Sequence, residues 1–293
     1  ASEISLGDLK TSDMPHRNPF LTYEVSRGCP NRCYYCANSL SVFQYKKVAQ
    51  VISEIKKLSR INKTRKLVFV GPEINFNNIY LAELMAKLVP LNIQWTSYAV
   101  PRCLSKELLS GMKEAGCRLL SLGLESADQN TLDAIGKRTN VEEVSRIMHD
   151  CHDLGIKTQV HIIVGFPHEK SEDIRKIQKF ILINRKVITN INISNLDIPK
   201  DSRILSDLDC KGIVLDGLDE GDYFSFYEKG RSSVEKRAEI SARVKKLYHF
   251  IGKLQLSVFT EGTSFDESFG GLYLQSLGLD SDGHLHEPLK RRK

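Results

Sequence analysis

The sequence predicts an α/β fold in which six βα units form an open or partial barrel around a parallel sheet. Three observations support this prediction. From about residue 20 to 197, short apolar runs alternate with longer amphipathic ones, which is the pattern of repeated βα units. Several of the short runs are nearly continuous Val, Ile and Leu, as strands buried on both faces require. The longer runs carry apolar residues at helical spacing.

The strand predictions follow the apolar runs, which are Phe20–Val25, Lys66–Val70, Ile93–Tyr98, Leu119–Leu124, Thr158–Val164 and Asn190–Leu196. Three helices are predicted from apolar faces, which are Val48, Val51, Ile52 and Ile55; Leu81, Leu84, Met85 and Leu88; and Val141, Val144, Met148 and Cys151. Thr139 followed by Glu142 predicts a capping box at the start of the last of these helices. Gly116 and Gly155 stand where left-handed C-terminal caps are expected.

The chain changes character after residue 197. Residues 198–261 are predicted to form an acidic insertion with little periodicity, followed by a final long helix marked by apolar residues from Ile240 to Leu254. Residues 262–293 are rich in Gly, Ser and Asp and are expected to be a flexible polar tail. Residues 1–19 are a lead-in, so the core barrel is predicted to span residues 20–197.

Composition excludes several classes of protein. A chain of 293 residues with 41% hydrophobic residues can bury a full core, so it is not a disordered tail. It has no run of the roughly 18 apolar residues that a membrane span needs, and its first residues lack a signal-peptide pattern. We therefore expect a cytoplasmic protein with no membrane span. The net charge of +6 is spread along the chain, so RNA is a less favoured partner.

Three of the seven cysteines lie close together. Seven is an odd number, and cytosolic thiols stay reduced, so a disulfide framework is not expected. Cys29, Cys33 and Cys36 follow the first predicted strand at spacings of four and three, and thiolates select zinc, copper(I) or iron-sulfur clusters. A structural zinc site needs four ligands, whereas a 4Fe-4S cluster on three cysteines keeps one iron open. A zinc loop and three unrelated buried thiols remain the alternatives.

This cysteine loop, with Tyr35 as its aromatic residue, resembles that of the radical S-adenosylmethionine (SAM) superfamily. The resemblance implies a partial (β/α)6 TIM-like barrel with a C-terminal extension and a 4Fe-4S cluster held by Cys29, Cys33 and Cys36. In that family SAM chelates the open iron, and a reductant such as flavodoxin or ferredoxin supplies the electron that cleaves it to methionine and a 5′-deoxyadenosyl radical. The radical takes hydrogen from a small-molecule or peptide substrate.

Motifs after the second and fourth strands resemble the SAM-binding motifs of this family. Gly71-Pro72-Glu73 matches its Gly-Gly-Glu turn, which receives the SAM amino group, although Pro72 removes one backbone donor. Gly123-Leu124-Glu125-Ser126 matches a second motif, in which Glu125 corresponds to a residue that contacts the ribose or the methionine part of SAM. Lys137 matches the basic residue that faces the SAM carboxylate. The alternatives are that Glu125 caps a helix near Asp128 and that Arg138 serves in place of Lys137.

Motifs after the fifth and sixth strands complete the expected site. His161 stands where the family often carries a polar ribose contact, although a lone His in a strand is more often a core residue. The turn from Gly165 to Glu169 resembles the one that packs against adenine. Leu196 is expected to present its backbone to the adenine edge.

Three short segments look most like the branch of this family that often carries a cobalamin-binding domain, including C-methyltransferases. They are Ser26-Arg27-Gly28-Cys29-Pro30, Ala115-Gly116-Cys117 and the Gly-Leu-Glu-Ser turn. Cobalamin is therefore a candidate third cofactor. Its usual Asp-x-His-x-x-Gly loop belongs to a separate domain, and the similar run from Asp282 to Glu287 lacks the final glycine. Cys210 stands alone, so an auxiliary cluster is not expected.

Two further functions remain open at this point. One is a methylthiotransferase-like or other RNA-modifying radical SAM enzyme, which is consistent with the mildly basic balance. The other is a non-catalytic protein whose three cysteines hold zinc or a cluster structurally.

Overall fold

The computed structural model of the chain describes residues 20–259. Its strands are β1 (Leu21–Glu24), β2 (Ser26–Arg27), β3 (Gln44–Tyr45), β4 (Lys66–Val70), β5 (Gln94–Ala99), β6 (Cys117–Glu125), β7 (Lys157–Val164), β8 (Asn190–Asn195), β9 (Ile198–Pro199), β10 (Ile213–Leu218), β11 (Tyr223–Glu228) and β12 (Ser257–Phe259). Its α-helices are α1 (Val48–Asn62), α2 (Asn78–Leu88), α3 (Lys106–Glu114), α4 (Gln129–Ala134), α5 (Val141–Asp153), α6 (Ser171–Asn184) and α7 (Ser233–Lys253). Short 3₁₀ turns span Ala37–Ser39, Val89–Leu91 and Arg203–Asp207.

The main sheet is parallel and open. Its strands are ordered β1-β4-β5-β6-β7-β8-β12, and every neighbouring pair runs parallel. The first six strands are the six predicted from the apolar runs, so the predicted partial barrel is confirmed. Strands that follow one another in the sequence are neighbours in space because each intervening helix returns the chain to the same end of the sheet.

The core lies between the sheet and the helices. The predicted helix faces are buried, apart from Ile52 and Val141, which are partly exposed. Trp95 is fully buried, and its indole Nε1 donates a hydrogen bond of 2.9 Å to the Ala115 carbonyl. Gly116 and Gly155 have positive φ values of 94° and 69°, which confirms the predicted left-handed caps after α3 and α5.

The capping box predicted at Thr139 is wrong. Asn140 is the N-cap of α5, and its side chain accepts hydrogen bonds from the amides of Glu142 and Glu143. The Thr139 hydroxyl instead donates to the Lys137 carbonyl. Asn and Thr are both good N-cap residues, and the chain path after α4 decides between them.

The segment after residue 197 has more structure than its lack of periodicity predicts. β9, β10 and β11 form a three-stranded antiparallel sheet, which encloses a second apolar core with Phe166 and Leu196. α7 then begins at Ser233, behind a capping box formed by Ser232 and Glu235. Among residues 20–259, no helix is long and apolar enough to cross a membrane. The predicted polar tail, including the run from Asp282 to Glu287, lies outside the described residues.

Candidate active site

A cavity of about 480 Å³ opens at the carboxyl ends of the parallel strands. Its walls come from the cysteine loop and from the ends of β4, β5, β6 and β7, where barrel enzymes build their sites. The sequence-predicted residues that line it are Cys29, Cys33, Cys36, Tyr35, Gly71, Pro72, Glu73, Glu125, Lys137 and His161. The fold therefore brings together residues that are more than 100 positions apart in the chain.

The cysteine loop leaves the sheet through a glycine that no other residue replaces easily. Gly28 has a φ of 72°, and a Cβ at this position would lie 2.4 Å from the Val42 carbonyl oxygen. Asn31 turns back onto the loop, since its backbone amide donates to Cys29 Sγ over 3.5 Å. The Asn38 amide donates to Cys36 Sγ over 3.4 Å. These donors hold two of the three sulfur atoms in place.

Burial raises the pKa of all three thiols, to about 11 for Cys33. A metal needs the thiolate form, and Lys137 favours that form because it lowers the pKa values of Cys33 and Cys36. No three His, Cys, Asp or Glu side chains within residues 20–259 are close enough together to hold a single metal ion. The three sulfur ligands instead line one shared cavity, and soft donors around a cavity fit an iron-sulfur cluster.

A polar chain that sequence reasoning missed connects the cysteine loop to the turn after β4. Asn31 Nδ2 donates to Glu73 Oε2, and the Arg102 guanidinium donates to Asn31 Oδ1. Burial raises the pKa of Glu73, while Asn31, Arg102 and Lys137 act in the opposite direction. Arg102 is the third residue after β5, so its position near a strand's carboxyl end was the signal that could have identified it.

Glu125 and Lys137 form the second charged pair of the cavity. Lys137 Nζ lies 2.6 Å from Glu125 Oε1, and the two side chains are 11% and 9% exposed. Burial lowers the pKa of Lys137, but Glu125 and the cysteines outweigh it and leave the pKa raised. Arg138 is exposed, so Lys137 is the basic residue that reaches the cavity. The alternative in which Glu125 caps a helix is wrong, because Asp128 caps α4 itself.

Gly123 makes room for this pair. A Cβ at Gly123 would lie 2.3 Å from Glu125 Oε1 and 2.5 Å from Lys137 Nζ. The glycine of the Gly-Leu-Glu-Ser motif therefore lets the ion pair lie against the strand, and a larger residue would displace both charged groups.

His161 belongs to a polar patch on neighbouring strands. Its Nε2 lies 2.6 Å from Ser121 Oγ, and its ring centroid is 5.2 Å from that of Tyr98. Burial lowers the pKa of His161 to about 4, so the imidazole is neutral at pH 7. Its position in the cavity wall is compatible with a polar contact to a bound ligand.

The turn after β7 lies behind the cavity wall and supports Tyr35 through an aromatic contact. Phe166 packs edge-on against Tyr35, with ring centroids 5.6 Å apart, and Tyr35 lies beside Glu125, whose charge adds to burial in raising the tyrosine's pKa. A larger cavity of about 660 Å³ lies on the other side of Tyr35, between α4 and the start of α6. Cys29, Cys33 and Cys36 do not line it, so the predicted cluster site lies in the smaller cavity.

Three predicted site residues do not line the cavity, namely Ser126, Gly165 and Leu196. The Ser126 hydroxyl is buried and accepts the Asp128 amide proton. Leu196 is 3% exposed in the second core, and its amide donates to the Val164 carbonyl. Gly165 lies behind the cavity wall, as the first residue of the turn that carries Phe166.

Comparison with known proteins identifies the family. The sequence profile described as the radical SAM superfamily matches residues 23–181, which include the cysteine loop and every strand end up to β7. The chain belongs to the radical SAM superfamily. Members of this family are enzymes that use a 4Fe-4S cluster and SAM, and the three thiols and charged pairs of the cavity fit both.

Individual relatives are distant. The chain is 26% identical over 167 residues to an uncharacterized methyltransferase, PH0819, of Pyrococcus horikoshii, and the match covers 55% of this chain and 36% of that protein. It is 28% identical over 173 residues to the ribosomal protein uS12 methylthiotransferase RimO of Elusimicrobium minutum, covering 54% and 40%. The chain thus spans less than half the length of these curated relatives.

The fold also matches a solved structure. The radical SAM methyltransferase TsrM from Kitasatospora setae, with cobalamin and a [4Fe-4S] cluster bound, superposes with a TM-score of 0.66 at 17% identity, covering 86% of this chain and 57% of that one. At this identity the match shows the shared fold alone.

A cobalamin-type pattern that sequence reasoning missed is present at residues 150–155, which read Asp-Cys-His-Asp-Leu-Gly. The structure places it in the last turn of α5 and the following Gly155 cap, not in a loop after a strand. Asp150 is ion-paired with Arg146 over 3.0 Å, and His152 is exposed. This pattern therefore does not fit a cobalamin site.

Proposed function

We propose that this chain is the core of a radical SAM enzyme that cleaves SAM reductively and acts on an organic substrate. The observation that carries the proposal is the convergence of three thiols, the Glu125–Lys137 pair, Glu73 and His161 on one cavity. When bound, the cluster and SAM supply an electron and a 5′-deoxyadenosyl radical.

The side chains of the cavity have distinct roles in this proposal. Cys29, Cys33 and Cys36 hold the cluster and leave one iron for SAM. Glu73 and the Gly71–Pro72 backbone bind the cofactor's ammonium group, and Lys137 binds its carboxylate, since opposite charges suit a zwitterion. Glu125 and neutral His161 orient the ribose. Tyr35 closes the wall next to the adenine.

The relatives support a proposal for the reaction subtype. We propose a methyltransferase-like reaction, because PH0819 is named a methyltransferase and TsrM is a radical SAM methyltransferase with cobalamin. Cobalamin stays a proposed third cofactor, although the pattern at residues 150–155 does not fit a site for it. We also keep the division into a core of residues 20–197 and an extension of residues 198–261 as a proposal.

The test is anaerobic incubation of the iron- and sulfide-reconstituted protein with SAM and dithionite, followed by assay for 5′-deoxyadenosine and methionine. We expect both products, and we expect Cys33→Ala to abolish them, because the cluster loses a ligand. Cys210→Ala is the matched control, since Cys210 is exposed and lies outside the cavity. Full SAM cleavage by Cys33→Ala would contradict the assignment, as would tightly bound zinc without acid-labile sulfide.

A second candidate is a methylthiotransferase-like enzyme, which the similarity to RimO favours; the RNA-modifying version is supported by the net charge of +6. Modification of RNA predicts binding that weakens steeply with salt, because bound cations leave the phosphates when the protein binds. The measurement is a filter-binding titration at low and at physiological salt. No binding at low salt would remove the RNA version of this candidate.

A further inference from the structure

One face of α7 holds the turn between β7 and α6. Lys236, Ile240 and Arg243 are spaced at i, i+4 and i+7, so they share one side of the helix. All three are buried, and Lys236 is only 1% exposed. Two cations on the buried face of a helix are unusual, because a buried charge needs partners that compensate its lost hydration.

These cations bond both ends of the turn, and Arg243 also pairs with Glu239 on the same helix. Lys236 Nζ donates to the Phe166 carbonyl over 3.3 Å. Arg243 donates to the Glu169 carbonyl over 2.8 Å and to Glu169 Oε2 over 3.0 Å. Hydrogen bonds from charged donors are stronger than those between neutral groups. α7 therefore holds the turn on both sides of Pro167.

The turn is closed internally by the same carboxylate that Arg243 binds. Glu169 Oε2 accepts the Gly165 amide over 3.0 Å. Between the two cations, Ile240 packs directly on the turn, since a Cβ at Gly165 would lie 2.6 Å from Ile240 Cδ1. Gly165 has a φ of 104°, so both its conformation and its contact with α7 require glycine.

Glu228 of β11 completes the arrangement. Its Oε1 accepts from Lys236 over 2.6 Å and from the His168 amide over 3.2 Å. The turn is thus fixed at Gly165, Phe166, His168 and Glu169, and the His168 ring also contacts the Lys211 carbonyl over 3.0 Å. The charged groups that hold the turn from outside lie on β11 and α7. These elements follow residue 181, where the family match ends.

We infer that Lys236 and Arg243 are positioning residues for the cofactor cavity, acting through the Gly165–Glu169 turn. The route is a chain of contacts: α7 fixes the turn, the turn fixes Phe166, and Phe166 packs on Tyr35, which lines the cavity. The inference rests on the proposed function, since SAM is the ligand whose binding it concerns. SAM affinity therefore depends on a helix that does not touch the cavity.

The experiment measures the Kd of SAM for the reconstituted protein by equilibrium dialysis, together with the change that SAM makes to the electron paramagnetic resonance (EPR) spectrum of the reduced cluster. In Arg243→Lys the ammonium cannot reach both the carbonyl and the carboxylate of Glu169, so we expect Kd to rise roughly tenfold. Arg243→Met should raise it further. Arg237→Lys on the same helix is the matched control, because Arg237 bonds the exposed Asp216, and its Kd should stay within about twofold.

Lys236→Met alone leaves Glu228 buried without its cation and is at risk of misfolding. The double variant Glu228→Gln with Lys236→Met removes both charges, keeps an acceptor for the His168 amide, and should fold with weakened SAM binding. The inference would be overturned if the Arg243 variants and this double variant, at full cluster content, kept the wild-type Kd and EPR response. The proposed function would be unaffected by that result. No SAM binding by the wild-type protein would instead overturn the proposed function and this inference together.

Discussion

Removal of the Lys137 charge tests the central ion pair of the cavity. In Lys137→Met the apolar stem is kept and the ammonium is lost, so Glu125 remains buried without its cation. The two charges are 2.6 Å apart and almost entirely out of water. Breaking such a pair from one side is costly because the remaining charge is neither hydrated nor paired.

The magnitude follows from this geometry. At an effective dielectric constant of about 20, two unit charges 2.6 Å apart attract by about 6 kcal/mol, and the cost of desolvating them offsets much of this. We therefore expect Lys137→Met to lower the free energy of unfolding by about 3 kcal/mol. In the double variant Glu125→Gln with Lys137→Met no buried charge remains, so about 2 kcal/mol of this loss should be recovered.

The assay is urea unfolding of the cluster-free protein, followed by the fluorescence of Trp95. This residue is the single tryptophan of the chain and is fully buried, so its emission reports on the opening of the core. The single variants Lys137→Met and Glu125→Gln are measured beside the double variant. If the stability lost in the double variant equals the sum of the two single losses, the side chains are not coupled, and the ion pair does not have the strength derived from its geometry.

Two further predictions concern protonation and backbone geometry. The pKa of His161 is lowered from 6.5 to about 4, so the unfolded chain binds a proton that the folded protein does not; the stability contribution is complete above about pH 6.5 and is lost as the pH falls towards 4. This pKa difference is worth at most roughly 3 kcal/mol of stability. Between about pH 7.5 and about pH 4.5, the urea midpoint of His161→Gln should therefore fall less than that of the wild-type protein. Equal falls in the two proteins would refute the lowered pKa of His161. Gly28→Ala should prevent cluster assembly, because its Cβ would collide with the Val42 carbonyl 2.4 Å away, whereas Gly212→Ala, which also has a positive φ but faces open space, should cost only about 1–2 kcal/mol. Iron and sulfide content after reconstitution measures the first effect, and an unaltered cluster yield in Gly28→Ala would contradict it.

The elements that the sequence predicted share one physical property. Several strands of the main sheet, such as β4 and β6, are buried on both faces, so their apolar runs are nearly continuous and stand out locally. The cysteine loop was found for a similar reason, because the spacing of four and three needs no long-range information. The same holds for the left-handed caps at Gly116 and Gly155, where a single residue determines the backbone.

The elements that the sequence did not predict depend on partners far away in the chain. The first half of α7 was not predicted from apolar periodicity, because its buried face carries Lys236 and Arg243 where apolar residues are expected. The α5 cap was assigned to Thr139 because both residues at that boundary are good caps. The pattern at residues 150–155 matches a cobalamin loop in letters but is helical in the fold.

The sequence by itself therefore determined the six βα units, the position of the cysteine loop and the family, since each rests on residues that are close together in the chain. Only the tertiary structure decided how distant charged groups pair: that Lys137 and not Arg138 reaches Glu125, that Arg102 bonds Asn31, and that Lys236 and Arg243 of α7 bond the Gly165–Glu169 turn. The physical reason is that a buried ion pair is stabilised by proximity and exclusion of water, and neither is encoded in local spacing.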